Sequence, residues 1–268
     1  MDIILLTPFD LGLAASLVIL LAIFSEYGRL KLGIGRKLVI AAVRASVQLM
    51  AIGLVLKVLF ESNHPLLMML MATVMLLMAT REIAARQEMG FVGWWGFAIG
   101  GLSLLLSSFL ITLFALTVIL SPTPWYTPQY AIPLLGMLLG NTMNGIALAL
   151  DRLTREVVRE RGAIEARLLM GHSWQMAIQP YMREAIRAGT IPIINTMAVS
   201  GVVTLPGMMT GQILAGNPPG TASNYQIMIL FLIAAGTGFG ISAGVWLASR
   251  RFFDERQRLR LDRLKKRA

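Results

Sequence analysis

Tyr225-Gln-Ile-Met-Ile-Leu-Phe-Leu-Ile-Ala-Ala-Gly-Thr-Gly-Phe-Gly-Ile-Ser-Ala-Gly-Val-Trp-Leu-Ala248 contains no charged residue, and Arg250 and Arg251 follow almost at once. As a helix rising 1.5 Å per residue the run reaches about 36 Å, enough to cross the roughly 30 Å of hydrocarbon in a bilayer. Inside hydrocarbon every backbone N–H and C=O must be satisfied within the protein, which leaves helices or a closed barrel. A barrel strand alternates apolar and polar positions; this run is continuous and is therefore read as a transmembrane helix.

Six further runs of similar character lie upstream. Their approximate bounds are Phe9 to Ser25, Leu38 to Phe60, Pro65 to Thr80, Trp94 to Leu120, Ala131 to Leu150 and Thr190 to Met208. The expectation is thus an all-α, polytopic membrane protein of about seven transmembrane helices, a single transmembrane domain over 1–268. The fifth span is expected to be broken by glycine and asparagine, and the sixth is bounded by Pro192 and Pro206. Composition agrees: 56% of residues are hydrophobic and 14% charged, against about 25% charged in a soluble domain. There is no cysteine, so disulfides and thiolate metal sites are excluded. Met1-Asp2-Ile3 carries no basic n-region, and no cleaved signal peptide is expected.

The connections sort the charge. Arg29, Lys31, Arg36 and Lys37 follow span one, Arg81 and Arg86 follow span three, seven arginines lie between Asp151 and Gly189, and nine basic residues follow span seven. These account for 22 of the 24 Lys and Arg; the other two, Arg44 and Lys57, lie near the ends of span two, where long side chains snorkel. The intervening connections, including Ser121 to Pro128 and Thr210 to Asn224, have no Lys or Arg. By the positive-inside rule the basic connections and the C-terminus are expected in the cytoplasm and the N-terminus outside; the expected location is the plasma (inner) membrane. The net charge of +10 is thereby assigned to membrane topology and not to nucleic acid.

Residues 151–189 form the one sizeable segment between spans, and 249–268 a basic tail. Val157, Ile164 and Leu168 share one face of a predicted helix over 154–170; Trp174, Ile178, Tyr181 and Ala185 share one face of a second over 174–187, which Pro180 is expected to kink or interrupt. Such a pair either lies on anionic lipid or docks a soluble partner. Glu165-Ala166, with Gly171 five residues on, matches half of the Glu-Ala-Ala-xxx-Gly coupling pattern of ABC permeases, with Arg167 at the third position.

Several long strings point to one family. Pro133-Leu-Leu-Gly-Met-Leu-Leu-Gly-Asn-Thr-Met-Asn-Gly145 and Leu205-Pro-Gly-Met-Met-Thr-Gly-Gln-Ile-Leu-Ala-Gly216 are the most specific. With Arg44-Ala-Ser-Val-Gln-Leu49, Thr80-Arg-Glu-Ile-Ala-Ala-Arg86 and Tyr225-Gln226, they resemble the FetB family of ABC-transporter permeases, which includes iron-export permeases and plant aluminium-tolerance proteins. The resemblance implies a homodimer bound to two copies of a separate ATPase subunit, and efflux of a metal, iron first. The chain has no Gly-xxxx-Gly-Lys-[Ser/Thr] phosphate loop, so no enzyme activity and no bound cofactor are expected of it, and ATP would be used by the partner.

Candidate pathway residues are polar or soft groups at membrane depth: Asn141, Met143 and Asn144 in span five, Asn195 in span six, and Met208, Met209 and Gln212 in a glycine- and proline-rich turn after span six. Amides buried in hydrocarbon tend to face the bundle or a water-filled path, though helix–helix hydrogen bonding accounts for them equally. Glu26 and Glu61 are candidate hard oxygen ligands for a metal, each also readable as a solvated charge at a helix end, and His64, in an outer turn, is a further candidate that reads equally as a surface residue. The methionines of span three, Met68 to Met78, are read as packing. Two alternatives stay open: an ion-coupled secondary transporter, for which broken spans are suited, and an ABC permease for a non-metal solute such as a nucleotide sugar.

Overall fold

The computed structural model describes residues 8–27, 33–62 and 64–266. Met1 to Ile3, Arg29, Lys31, Asn63 and Arg267 lie outside the described residues. The chain forms two compact units, one running up to His64 and including Leu214–Gly216, the other comprising Pro65–Ile213 and Asn217 onward.

In the first unit, helix α1 (Pro8–Tyr27) packs on α2 (Gly35–Ser62). The contact is close because Gly35 has no side chain: a Cβ there would stand 2.5 Å from the Ala22 carbonyl oxygen and 2.9 Å from a Glu26 carboxylate oxygen. Glu26 is thus at the α1–α2 joint, whereas Glu61 ends α2 and His64 sits in the turn after it.

The second unit begins with α3 (Pro65–Arg86) and a short strand β1 (Met89–Phe91). Residues 95–120 then form one helical rod in four pieces: α4 (Trp95–Leu104), a π-helical turn over Leu105–Phe109, α5 (Leu110–Phe114) and a second π-helical turn over Ala115–Leu120. Next come α6 (Pro128–Arg159), α7 (Arg161–Leu169), α8 (Trp174–Val199), α9 (Gly207–Leu214) and α10 (Pro219–Arg251); strand β2 (Leu264–Lys266) closes the chain by pairing antiparallel with β1. Among the described residues five helices are long and apolar enough to cross a membrane: α2, α3, the 95–120 rod, α6 and α10. They match expected spans two, three, four, five and seven.

Three expectations are corrected. The fifth span is not broken: α6 is continuous over 32 residues, about 48 Å, through Pro133, Gly140 and Gly145. Nor is there a separate helix over 154–170: α6 runs on to Arg159, and α7 starts after a one-residue break at Glu160. The second amphipathic helix and the start of the sixth span are one helix, α8, which Pro180 and Pro192 do not interrupt; it stops at Val199 instead of reaching Met208. Gly201, at φ 82°, turns the chain there, and Pro206 precedes the short return helix α9.

A glycine seam holds α6, α8 and α10 together. Gly236, Gly240 and Gly244 recur every four residues along α10, and Leu138, Thr142 and Ile146 of α6 fill the space over them, with Ser103 and Ser107 of the 95–120 rod. Small residues at this spacing let helices approach closely where lipid supplies no hydrophobic drive between them. At the crossing of α6 and α8, Gly145 faces Gly189, each within reach of the other's backbone carbonyl, with Ile241 of α10 beside both.

Candidate functional site

Because α6 and α10 both start at the uncharged connections and end among arginines, the second unit has an uncharged end and a basic end. At the uncharged end α9 folds back so that Met208 packs against the cluster of Leu134, Leu138, Ile229 and Ile233. Beside it lies a pocket of about 380 Å³ bounded by the first turns of α6, by α9 and by the first turns of α10. Its soft donors are Met137, Met208 and Met228; its neutral oxygen groups include Gln129, Tyr130, Gln212, Asn217, Thr221 and Tyr225. No carboxylate lines it. The Gln212 amide oxygen is buried with no hydrogen-bond partner, an arrangement that costs about 1–3 kcal/mol and therefore calls for an account. Pro133, also in the wall, lacks the N–H that would have bonded the Gln129 carbonyl. The pocket offers a cation several exchangeable thioether and amide contacts and no anchor that would trap it.

The structure distributes the sequence-predicted residues as follows. Met208 and Gln212 line this pocket. Met209 instead accepts a hydrogen bond from Ser223 at 4.0 Å. Asn141, one turn below Met137, is exposed and donates to the Met137 carbonyl at 2.8 Å. Asn144 is exposed and accepts from Arg86 at 2.6 Å, while Arg86 also pairs with Glu82 at 3.1 Å. Asn195 is exposed on α8, and Met143 packs against the core. Pro133, Asn141, Asn144 and Leu148 form an exposed stripe down α6. Among the described residues no three His, Asp or Glu side chains cluster as a metal site, so Glu26, Glu61 and His64 are not brought together as one.

The basic end is more ordered than a loop and a tail. Val157, Ile164, Ile178 and Ala185 are fully buried in the core, with Leu168, Trp174 and Tyr181 packed against it. The amphipathic faces therefore meet protein, which corrects the reading in which they lie on lipid. α7 ends in a Schellman motif: Gly171 has φ 87°, its N–H donates to the Leu168 carbonyl at 3.0 Å, and the His172 N–H donates to the Arg167 carbonyl at 3.2 Å. Glu165 pairs with Arg161 at 2.8 Å on the outer face of α7. Leu169 and Met170, at the tip, are 89% and 69% exposed.

The residues after α10 fold back on this assembly. Phe252 is fully buried with its ring 5.1 Å from that of Phe91, Phe253 stacks at 5.6 Å on Trp174, and the Trp174 N–H donates to the Gln257 side chain at 2.8 Å. Asp254 caps the turn by accepting from the Arg256 and Arg258 N–H groups; hydrogen bonds from Arg258, first its backbone N–H, hold its carboxyl below the ordinary value. The Arg260 guanidinium, bonded to both Asp262 carboxylate oxygens, brings that carboxyl down to about 2. The basic tail is thus a folded knot as far as Lys266.

The Uncharacterised protein family UPF0014 matches residues 8–253. The chain belongs to UPF0014. The UPF0014 membrane protein slr1647 of Synechocystis is 40% identical over 221 residues, 81% of this chain and 83% of the relative. The probable iron export permease protein FetB of Escherichia coli is 29% identical over 270 residues, 97% of this chain and 98% of the relative. The protein ALUMINUM SENSITIVE 3 of Arabidopsis thaliana is 27% identical over 92% of this chain and 88% of its own length. No solved structure matches. The resemblance read from the span-five and post-span-six strings is therefore upheld, and those UPF0014 strings are the ones that build α6, α9 and the pocket wall.

Sequence reasoning missed Met137, Met228 and Gln129 as pocket groups, and the α10 glycine seam. For the pocket, the available signal in this UPF0014 chain was the recurrence of polar or thioether residues one turn apart at the start of each helix: Gln129 and Pro133 to Met137, Tyr225 to Met228. For the seam it was the four-residue glycine spacing inside an otherwise apolar span.

Proposed function

We propose that this chain is the membrane-spanning permease subunit of an ATP-driven exporter that moves a metal ion, iron first, out of the cytoplasm. A homodimer of the chain would work with two copies of a separate ATPase subunit. The name of the Escherichia coli relative supports iron and export. The pocket of neutral sulfur and oxygen groups supports a site that releases its ion, since hydrated metal cations bind such donors weakly.

The observation that carries the reading is mechanical. α6 and α8 are unbroken rods that join the uncharged end to the basic end, where α7 links them through buried side chains. Force applied by a soluble motor at the exposed Leu169–Met170 tip reaches the pocket wall without passing through a flexible loop. Nucleotide binding then favours one of two tilts of the rods, and the pocket's access changes from inside to outside. The Asn141 amide on the exposed stripe of α6 is costly to leave in hydrocarbon, and a second copy of the chain lining a shared path would cover it. The positive-inside rule supports a cytoplasmic basic end.

Coexpression with candidate ATPases tests the reading: a stable complex with metal-stimulated hydrolysis is expected. Failure of every ATPase to copurify ends it, and vesicle transport driven by an ion gradient alone replaces it with a secondary transporter.

A further inference from the structure

A second pocket, about 840 Å³, lies at the basic end where the membrane-length part of the second unit meets the C-terminal knot. Its wall has two chemistries. Trp95, Ile99 and Leu247 come from the first turns of α4 and the last turns of α10. Arg250, Arg251, Arg256, Arg258 and Arg263 face them, against two acids, Asp254 and Glu255. Asp254 is already engaged by Arg258. Among the described residues Arg250, Arg251, Arg256 and Arg263 have no carboxylate partner; Arg263 donates to the Arg251 and Phe253 carbonyls, and the Arg251 Nε is buried with no acceptor at all. The Arg251 guanidinium lies 4.1 Å over the Trp95 ring, and that of Arg250 lies 5.8 Å over Trp246.

Cations gathered in a concave site, one with a buried donor left over, are arranged for an anion. The depth of the site says which. Trp94, Trp95 and Trp246 are partly or largely exposed around it, as indoles are where acyl chains give way to headgroups. Ile99 and Leu247 lie about one turn deeper, on the side that continues into the apolar spans. Basic pockets between transmembrane helices on the positive side of a protein suit anionic lipid headgroups. We infer that this pocket binds the phosphate headgroup of an anionic phospholipid, with Arg251 and Arg256 as phosphate donors and Trp95 against the glycerol and upper acyl chain. The bound lipid fastens the knot to the end of α10 and makes the junction sensitive to membrane composition.

The experiment uses the full chain, purified in detergent, delipidated and titrated with phosphatidylglycerol, phosphatidylethanolamine or inorganic phosphate under native mass spectrometry. Phosphatidylglycerol is expected to bind well above phosphatidylethanolamine. Affinity should fall about fivefold for each arginine removed, in Arg256→Gln alone and more in Arg251→Gln with Arg256→Gln. Arg256→Gln guards against a folding artefact, because that side chain has no protein carboxylate to lose, and its lipid-free melting temperature should equal that of the parent. Equal binding of the two lipids, or phosphatidylglycerol binding unchanged in the double variant, overturns the inference. Tight binding of inorganic phosphate with no lipid preference keeps the phosphate chemistry but overturns the lipid as its source.

Discussion

Gly189→Ala puts one methyl group into the crossing of α6 and α8. A Cβ at that position stands 2.7 Å from the Gly145 carbonyl oxygen, 2.9 Å from the Ala149 Cβ and 3.1 Å from the Ile241 Cδ1. The Ile241 methyl can rotate away, but the carbonyl belongs to the backbone of α6, so the rods must separate by several tenths of an ångström. Overpacking of this kind costs about 1–3 kcal/mol. Against it stands the usual gain of alanine over glycine inside a helix, about 0.5–1 kcal/mol. The net expectation is a loss of roughly 1–2 kcal/mol. Gly238→Ala on α10 is the matched control: it is also mid-helix and has nothing within 4 Å of its would-be Cβ, so only the gain remains. Thermal unfolding of both variants in detergent measures the difference. If Gly189→Ala is as stable as the parent, or if Gly238→Ala falls equally, the crossing is looser than the geometry states and the rigid-rod account of coupling loses its joint.

Four further outcomes follow from particular residues. Gln212→Met removes a buried oxygen without a partner and should raise stability by about 1 kcal/mol while lowering metal efflux from cells; a variant that gains stability and exports normally excludes Gln212 from the pathway. Phe252→Ala empties a fully buried site against Phe91 and should cost about 3–5 kcal/mol, read as lost amide protection in β1 and β2. Because Asp254 and Asp262 titrate below the ordinary 3.8 in the folded knot, Asp262 at about 2, their stabilisation is complete above that ordinary value and disappears as pH falls through the folded values; hydrogen exchange at Arg256 and Arg258, corrected for intrinsic rate, should be flat from pH 8 to 5 and rise below about 4. Replacing the exposed Leu169 and Met170 by serine should change stability by no more than about 0.5 kcal/mol yet abolish ATPase capture, and unchanged capture moves the docking surface elsewhere.

The membrane class and the two ends of the chain were legible because hydrocarbon imposes one rule on every residue in it. A charge-free run such as Tyr225 to Ala248 has no other stable reading, and basic residues confined to alternate connections mark the ends independently. What failed was local punctuation. Gly140, Gly145, Pro180 and Pro192 each read as breaks, yet α6 and α8 run through them. In water such residues end helices because solvent competes for the freed backbone groups. Packed against neighbouring helices, they instead remove bulk, and at Gly145 and Gly189 the bulk removed is what lets the two rods touch. The same confusion hid the folded knot: residues 252–266 look like a solvated basic tail because ten of those fifteen residues are charged or amide-bearing, around only five apolar anchors, Phe252 and Phe253 first among them.

The site was harder to read than the fold for a related reason. The pocket's donors come from several helices, so no spacing within one helix announces them. Met208 and Gln212 are a turn apart on α9 and were visible together; Met137 and Met228 lie about seventy and twenty residues away in the chain and join them only because α9 folds back between the starts of α6 and α10. That return depends on Gly201, whose φ of 82° turns the chain after Val199, and on Gly216, at 92°, which sends it into α10. A side chain at either position is strained in that conformation, so these two residues, which touch no ligand, fix whether the four donors meet. The pocket is therefore a property of the interruption between α8 and α10, while the rods α6 and α8 run uninterrupted to the basic end. The chain places two positive-φ glycines, Gly201 and Gly216, around α9 and its seam glycines, Gly145, Gly189, Gly236, Gly240 and Gly244, inside the long helices.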